Sequence, residues 1–303
     1  MEDVLTVRGL SKYYKQFKAL DGLNMRVPKG AVYGLVGRNG AGKTTLIRLL
    51  CGLQTPTAGE YALFGVPGGS REINRVRRRM GAVVETPSIY LDLTARDNLR
   101  VQYRVLGLPS EDSIPELLKL VGLEHTGAKK ARNFSLGMKQ RLGIAVALAG
   151  EPDFLVLDEP VNGLDPQGIV EMRELILRLN QEKRITVLIS SHILDELSRL
   201  ATHYGFLDSG RMVKEMGARE LEEACRKCMR VTVSDTRGLA RVLTEMGVEY
   251  RILSDGQADV FAHLNISRLA ASLNAEGCEL LSARERDEDL ESYFINLVGG
   301  GHE

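Results

Sequence analysis

The sequence predicts an α/β chain built on a mainly parallel sheet, followed by a second, smaller α+β domain. Three observations carry this expectation. Val32–Val36, Phe154–Leu157 and Ile185–Ile189 are apolar runs without alternation, the pattern of strands buried on both faces, and helical periodicity separates them. Gly37-Arg38-Asn39-Gly40-Ala41-Gly42-Lys43-Thr44-Thr45 fits the pattern G-x-x-x-x-G-K-[ST] and stands between such a strand and the first turns of a helix at Leu46–Leu50. After about residue 217 the elements become short, and their order changes to β-α-β-β-α-β-α.

Taken in order, Val4–Arg8 and Leu23–Val27 read as two antiparallel strands joined by a polar stretch that contains Tyr13 and Tyr14. Pro28-Lys29-Gly30 signals a turn before the next strand, and Gly52 is placed to end the helix after the glycine-rich loop. Pro56-Thr57-Ala58-Gly59 reads as a turn, Tyr61–Phe64 and Gly81–Val84 as strands, and the basic run Arg75–Arg79 as a solvated helix face. From about 88 to 150 the apolar residues recur at helical spacing over Thr94–Leu106, Ser113–Val121 and Ser135–Ala149, each closed by a glycine, which makes this region a helical insertion. The core pattern resumes with helices at Ile169–Asn180 and Ile193–Leu200 and a strand at Tyr204–Leu207 turning at Asp208-Ser209-Gly210. Domain boundaries are therefore expected at 1–217 and 218–303. In the second part strands are expected near 231–233, 248–253, 258–262 and 279–283, with helices near 237–246, 266–275 and 288–298, an order resembling a ferredoxin-like split βαββαβ unit plus one helix. Gly299-Gly300-Gly301 and His302 read as a frayed end.

Composition bounds the class. Lys+Arg and Asp+Glu are equal at 40 each, so no global positive field points to nucleic acid. No apolar run approaches the roughly 18 residues of a spanning helix, and the start Met1-Glu2-Asp3 is acidic where a signal peptide is basic, so a cytoplasmic chain is expected. Cys51, Cys225, Cys228 and Cys278 are too scattered for a disulfide framework and read as free thiols.

The chemistry lies around the glycine-rich loop. Glycines let backbone N–H groups turn inward around phosphate oxygens, and the helix N-terminus adds its partial positive charge. Lys43 can reach the β- and γ-phosphates of a nucleotide, and the Thr44 hydroxyl can ligate Mg²⁺. Phe154-Leu155-Val156-Leu157-Asp158-Glu159 ends a core strand in two carboxylates. Beside such a loop, Asp158 is placed to hold Mg²⁺ and Glu159 to polarise a water for in-line attack.

These residues resemble the nucleotide-binding subunits of ATP-binding cassette (ABC) transporters over roughly residues 1–217. The resemblance implies a P-loop NTPase (RecA-like) core with an antiparallel β subdomain and an inserted helical subdomain, using ATP and Mg²⁺. Asn133-Phe134-Ser135-Leu136-Gly137-Met138-Lys139-Gln140 lies where the family has its L-S-G-G-Q signature, with Leu136 and Met138 departing from it. By the resemblance Ser135 and Gly137 contact the γ-phosphate bound by an opposite subunit. Asp165, in Asn162-Gly163-Leu164-Asp165-Pro166, reaches across that interface, His192 senses the γ-phosphate, and Tyr14 stacks on adenine. Gly37, Asn39, Gly40, Gly42 and Thr45 belong to the loop itself. Glu85 stands where the family usually has a metal-contacting glutamine that links the site to the membrane partner, and it adds negative charge there. The residues around Glu85, the stretch Phe134–Ala145 and Asp287–Phe294 are similar to bacterial exporters of bacitracin- and lantibiotic-type peptides. The resemblance thus implies an ATPase acting as a homodimer or heterodimer with a separate transmembrane permease, peripheral on the inner face of the membrane. An importer subunit with a regulatory C-terminal domain is the alternative. A cassette protein acting on ribosomes or nucleic acid is disfavoured by one cassette, zero net charge and no sustained heptads.

Overall fold

The computed structural model describes residues 2–262, 264–286 and 290–299. Asp287–Asp289 of the exporter-like tail, and Gly300, Gly301 and His302 of the expected frayed end, lie outside the described residues. The chain divides into two compact units, 1–218 and 219–303.

In the first unit β1 (Asp3–Tyr14) and β2 (Phe17–Pro28) form an antiparallel hairpin, and β3 (Val32–Val36) leads into α1 (Lys43–Leu50). β4 (Ala58–Leu63), β5 (Val66–Pro67), α2 (Ile73–Arg77) and β6 (Met80–Val83) follow. The helices α3 (Ala95–Leu106), α4 (Ile114–Leu120) and α5 (Leu136–Leu148) come next. The unit continues with β7 (Phe154–Asp158), α6 (Pro166–Gln181), β8 (Thr186–Ser191), α7 (Leu194–Ser198), β9 (His203–Asp208) and β10 (Arg211–Gly217).

A 6-stranded sheet runs β10-β9-β3-β8-β7-β6, and all its neighbours are parallel except the β9–β10 pair. Every residue of β3, β7 and β8 is buried, which is why these strands read as unbroken apolar runs. Because they are parallel neighbours, their C-terminal ends share one edge, and the chain leaves each strand there. β10 went unforeseen because its residues alternate at an exposed sheet edge, with Lys214 and Glu215 among them.

The 4-stranded sheet β2-β1-β4-β5 packs its apolar face into the same core: Leu5, Leu10, Leu20 and Leu23 join Leu35, Leu46, Ile47 and Phe154 in one cluster. Burying a side chain of this size contributes about 1.5–3 kcal/mol. The hairpin extends past the expected Val4–Arg8 and Leu23–Val27 to a turn at Lys15-Gln16. Register shifts between Val7 and Leu10, Leu10 and Lys12, and Lys12 and Tyr13 break the period-2 pattern, so the outer half reads as polar loop although it is strand. β4 likewise starts at Ala58, inside the expected turn. The basic run is only partly a solvated face: Arg77 turns inward to the Leu50 carbonyl and the Tyr61 hydroxyl, and Arg79 pairs with Asp153 at 2.7 Å while lying over the Phe64 ring.

The insertion helices begin where capping chemistry says they should. Thr94 accepts from the Asp97 amide at 3.1 Å to cap α3, and Ser135 accepts from the Met138 amide at 3.3 Å to cap α5.

In the second unit α8 (Ala218–Ala224), which starts at the boundary and was not anticipated, is followed by β11 (Cys228–Val233), α9 (Thr236–Glu245), β12 (Tyr250–Ser254) and β13 (Gln257–Val260). α10 (Ile266–Ala275), β14 (Leu280–Arg286) and α11 (Leu290–Gly299) complete it. The sheet order is β12-β13-β11-β14, every neighbour antiparallel. One core cluster of this unit packs Val231, Ala258 and Val260 with Leu239, Leu243, Leu269 and Leu273 of α9 and α10. All four cysteines are free thiols. No described helix is long and apolar enough to cross a membrane.

Candidate active site

The loop at 37–42 joins β3 to α1 and is fixed by two close approaches. A Cβ on Gly37 would lie 2.6 Å from the Leu207 carbonyl oxygen. Gly42 has φ +110°, and a Cβ there would lie 2.6 Å from the Ala19 carbonyl oxygen. Neither position accepts another residue without moving backbone. Gly42 also stands as N-cap of α1 with no side-chain cap, which leaves the helix start open to an anion. Arg38, Asn39 and Gly40 are exposed, while Thr44 and Thr45 sit half-buried in the first turn of the helix.

Lys43 is 6% exposed. Its Nζ donates to the carbonyls of Gly37 at 2.6 Å and Arg38 at 3.3 Å, and lies 3.1 Å from Glu159 Oε1. Glu159 in turn places Oε2 2.8 Å from His192 Nδ1. Asp158, on the adjacent position at the end of β7, is 2% exposed. Its Oδ1 accepts from the Ser190 hydroxyl at 2.5 Å. Asp158 Oδ2 and Glu159 Oε1 are both buried with no hydrogen-bond donor. The second of these lies close to Lys43 but off the direction a hydrogen bond needs. Glu159 adopts φ +50°, an uncommon conformation for a side chain of this size, and Glu85 does the same at +59°.

The structure therefore brings Lys43, Asp158, Glu159 and His192 together at the shared edge of β3, β7 and β8. The other expected residues lie elsewhere. Ser135 and Asp165 cap α5 and α6, the Asp165 carboxylate accepting from the Gly168 amide at 2.9 Å. A Cβ on Gly137 would lie 3.7 Å from Leu164, and one on Gly163 would lie 3.2 Å from Leu136, so the starts of these two helices adjoin. Among the described residues no hydrogen bond or ion pair joins Ser135, Gly137 or Asp165 to the loop. Tyr14 is 41% exposed at the end of β1, its hydroxyl bonded to Gln54 and Lys12 over its ring. Glu85 follows β6 and pairs with Arg48 of α1 at 2.7 Å. That partner, five residues after Lys43 and unremarked in the sequence, offsets the extra negative charge. Ser190 was also missed. Its signal was a polar pair, Ser190-Ser191, ending an otherwise apolar strand, with both residues buried.

The chain thus sets a glycine-rich loop beside a buried carboxylate pair and a histidine, and comparison with known proteins shows the family in which this occurs. The family model for ABC transporters matches residues 20–162. Over 305 residues the chain is 42% identical to the bacitracin transport ATP-binding protein BcrA of Bacillus licheniformis, covering 99% of both proteins. The chain belongs to the ABC transporter family. Within that family it is an ATP-binding, ATP-hydrolysing protein. It is also 43% identical over 223 residues to the lantibiotic transport ATP-binding protein SrtF of Streptococcus pyogenes, covering 73% of this chain and 95% of that one. Among solved structures it is similar to an ATP-binding cassette described as a dimer in a post-hydrolysis state bound to ADP and Pi, with TM-score 0.64 and 25% identity, covering 71% of this chain and 99% of that one.

Proposed function

We propose that the chain powers export of a peptide antibiotic or similar amphiphile through a separate membrane permease, hydrolysing ATP as one half of a dimer. The observation that carries the catalytic part is Glu159, held between Lys43 at 3.1 Å and His192 at 2.8 Å beside the buried Asp158. The names of the bacitracin and lantibiotic transport relatives support the cargo class.

In this reading the amides of 37–42 and the start of α1 bind the phosphates, and Lys43 turns from the loop carbonyls to them. Glu159 accepts the proton of the attacking water. His192 holds Glu159 and contacts the γ-phosphate. Ser135, Gly137 and Asp165 sit at adjoining helix starts outside this cluster, an arrangement that supports a head-to-tail pair in which they complete the partner's site. Tyr14, 41% exposed, stacks on the base once Lys12 moves off its ring. The residues present fit Mg²⁺: Asp158 Oδ2 is a buried carboxylate oxygen with no donor, and hard cations take such ligands. Asp158 and Thr44 would hold the ion, with Glu85 contributing once released from Arg48. Bound there, Mg²⁺ would neutralise charge on the phosphates. The second unit, whose strand order supports the ferredoxin-like reading, is an accessory domain of the cassette, and the protein works in the cytoplasm on the inner face of the membrane.

Purification from detergent-solubilised membranes tests the assignment. The tagged chain should bring down a polytopic permease, and deleting it should sensitise cells to a bacitracin- or lantibiotic-type peptide. Recovery of ribosomes with no permease would overturn it.

A further inference from the structure

Ser190, one residue before the end of β8, stands directly opposite Asp158, its neighbour in the parallel β7–β8 ladder, and neighbours in such a ladder project their side chains to the same face. Its side chain is fully buried and makes two bonds at once. The hydroxyl proton goes to Asp158 Oδ1 at 2.5 Å, and the hydroxyl oxygen accepts from the Glu159 amide at 3.0 Å. The same amide lies 3.2 Å from the Ser190 carbonyl, so residue 190 supplies both acceptors for Glu159's backbone N–H.

We propose that Ser190 is the positioning residue of the two carboxylates: one hydroxyl sets which oxygen of Asp158 is offered to a cation and anchors the backbone of Glu159. The chemistry follows from the inventory of a hydroxyl, which has one proton to give and lone pairs to receive. Spending the proton on Oδ1 occupies that oxygen and leaves Oδ2 without a donor, as the structure shows. Receiving the Glu159 amide ties down a residue at φ +50°, a conformation that needs outside restraint to persist. An alanine at 190 would remove both bonds, leave Oδ1 a second undirected oxygen and let the Asp158 carboxylate rotate. A threonine keeps the hydroxyl on the same carbon. Ser191, equally buried, cannot substitute, because its hydroxyl is committed to the Ile193 amide at 3.0 Å.

This assignment rests on the ATP-site reading above and is tested so that the two can fail separately. Mn²⁺ binding is measured by electron paramagnetic resonance on the full-length protein with a non-hydrolysable ATP analogue present, alongside analogue binding in excess chelator and thermal melting. For Ser190→Ala the Mn²⁺ dissociation constant should rise about 10–100-fold, the range for losing an outer partner of a metal-binding group. Analogue binding without metal should stay within twofold of the wild type. Ser190→Thr should bind Mn²⁺ like the wild type, which also covers the case in which the alanine variant melts too early to assay. If Ser190→Ala binds Mn²⁺ as the wild type does, or if Ser190→Thr is as weak as Ser190→Ala, the positioning role is refuted. If the wild type binds no Mn²⁺ with the analogue, the ATP-site reading itself falls.

Discussion

Replacing Glu159 by Gln removes one charge from the site and almost nothing else. The two side chains are isosteric, and Gln can still bond His192 Nδ1, where Glu159 Oε2 now lies at 2.8 Å. What is lost is proton acceptance, and a positioned general base contributes roughly 10²–10⁴ in rate, or about 3–5 kcal/mol of barrier. What is gained concerns Lys43. At an effective dielectric near 20, charges 3.1 Å apart attract by roughly 5 kcal/mol gross, before desolvation, and this attraction holds Lys43 on Glu159. Without it the lysine is freer to meet phosphate, so ATP affinity should hold or tighten while turnover falls. The assay is steady-state phosphate release at saturating Mg²⁺–ATP, with fluorescent-nucleotide binding and size-exclusion chromatography in parallel. The variant should release phosphate at least 10²-fold more slowly, bind nucleotide at least as well as the wild type and accumulate as an ATP-bound dimer. Undiminished turnover would refute the role given to Glu159. Loss of nucleotide binding would refute the account of Lys43.

The Arg48–Glu85 pair has both side chains substantially exposed, so Arg48→Ala should cost less than about 1 kcal/mol in denaturant unfolding, yet alter the Mg²⁺ dependence of hydrolysis by freeing Glu85. Burial pushes the Cys51 thiol up from 9.0 to about 11, so at pH 8 it should alkylate about a hundredfold more slowly in the native protein than in urea, read by mass spectrometry of the labelled peptide. The Arg237 and Gly238 amides at the start of α9 hold the Asp235 carboxyl below its ordinary range. Its contribution to the second unit is therefore complete above the unfolded value near pH 4 and is lost as pH falls through the lowered one, and Asp235→Asn should flatten that acid limb in circular dichroism. Residues 1–218 should fold and hydrolyse ATP alone, because this unit has a core cluster of its own and the Streptococcus pyogenes relative is matched over 95% of its length by 73% of this chain. An aggregated or inactive fragment would count against that.

Most of the first unit was legible because its strands are buried on both faces. An apolar run such as Phe154–Leu157 or Val32–Val36 leaves little choice of environment, and the polar residues that end it then stand out. The insertion helices were legible through their caps, with Ser135 and Thr94 lying one residue before the observed starts. The outer hairpin was not, because bulges between Val7 and Tyr13 shift the alternation on which a strand is recognised. Edge strand β10 and α8 at the unit boundary gave no one-sided apolar pattern strong enough to stand alone. In the site, Lys43, Asp158, Glu159 and His192 carried local motif signals. Arg48 carried none and Ser190 showed only as a polar end to an apolar strand, since each matters through a partner that is distant in sequence: Asp158 lies 32 residues before Ser190, and Glu85 lies 37 after Arg48.

That difference follows from the sheet order. With β3, β8 and β7 as successive parallel neighbours, the loop after β3, the histidine after β8 and the carboxylates ending β7 emerge side by side whatever the chain between them does. About 115 residues, including the whole helical insertion, can intervene between Lys43 and Asp158 without moving either, because the ladder and not the connection sets their spacing. The carboxylates need a cross-strand partner for the same reason. At the end of β7 Asp158 pairs with Ser190 of β8, and its side chain and the backbone that follows are held from that strand. β8 supplies Ser190 at that register, and His192 follows directly after β8 ends. One strand end thus holds both carboxylates of β7 from the side, through a serine for Asp158 and the Glu159 backbone and through a histidine for the Glu159 side chain. A shift of β8 by one residue would turn Ser190 to the opposite face and break these contacts together.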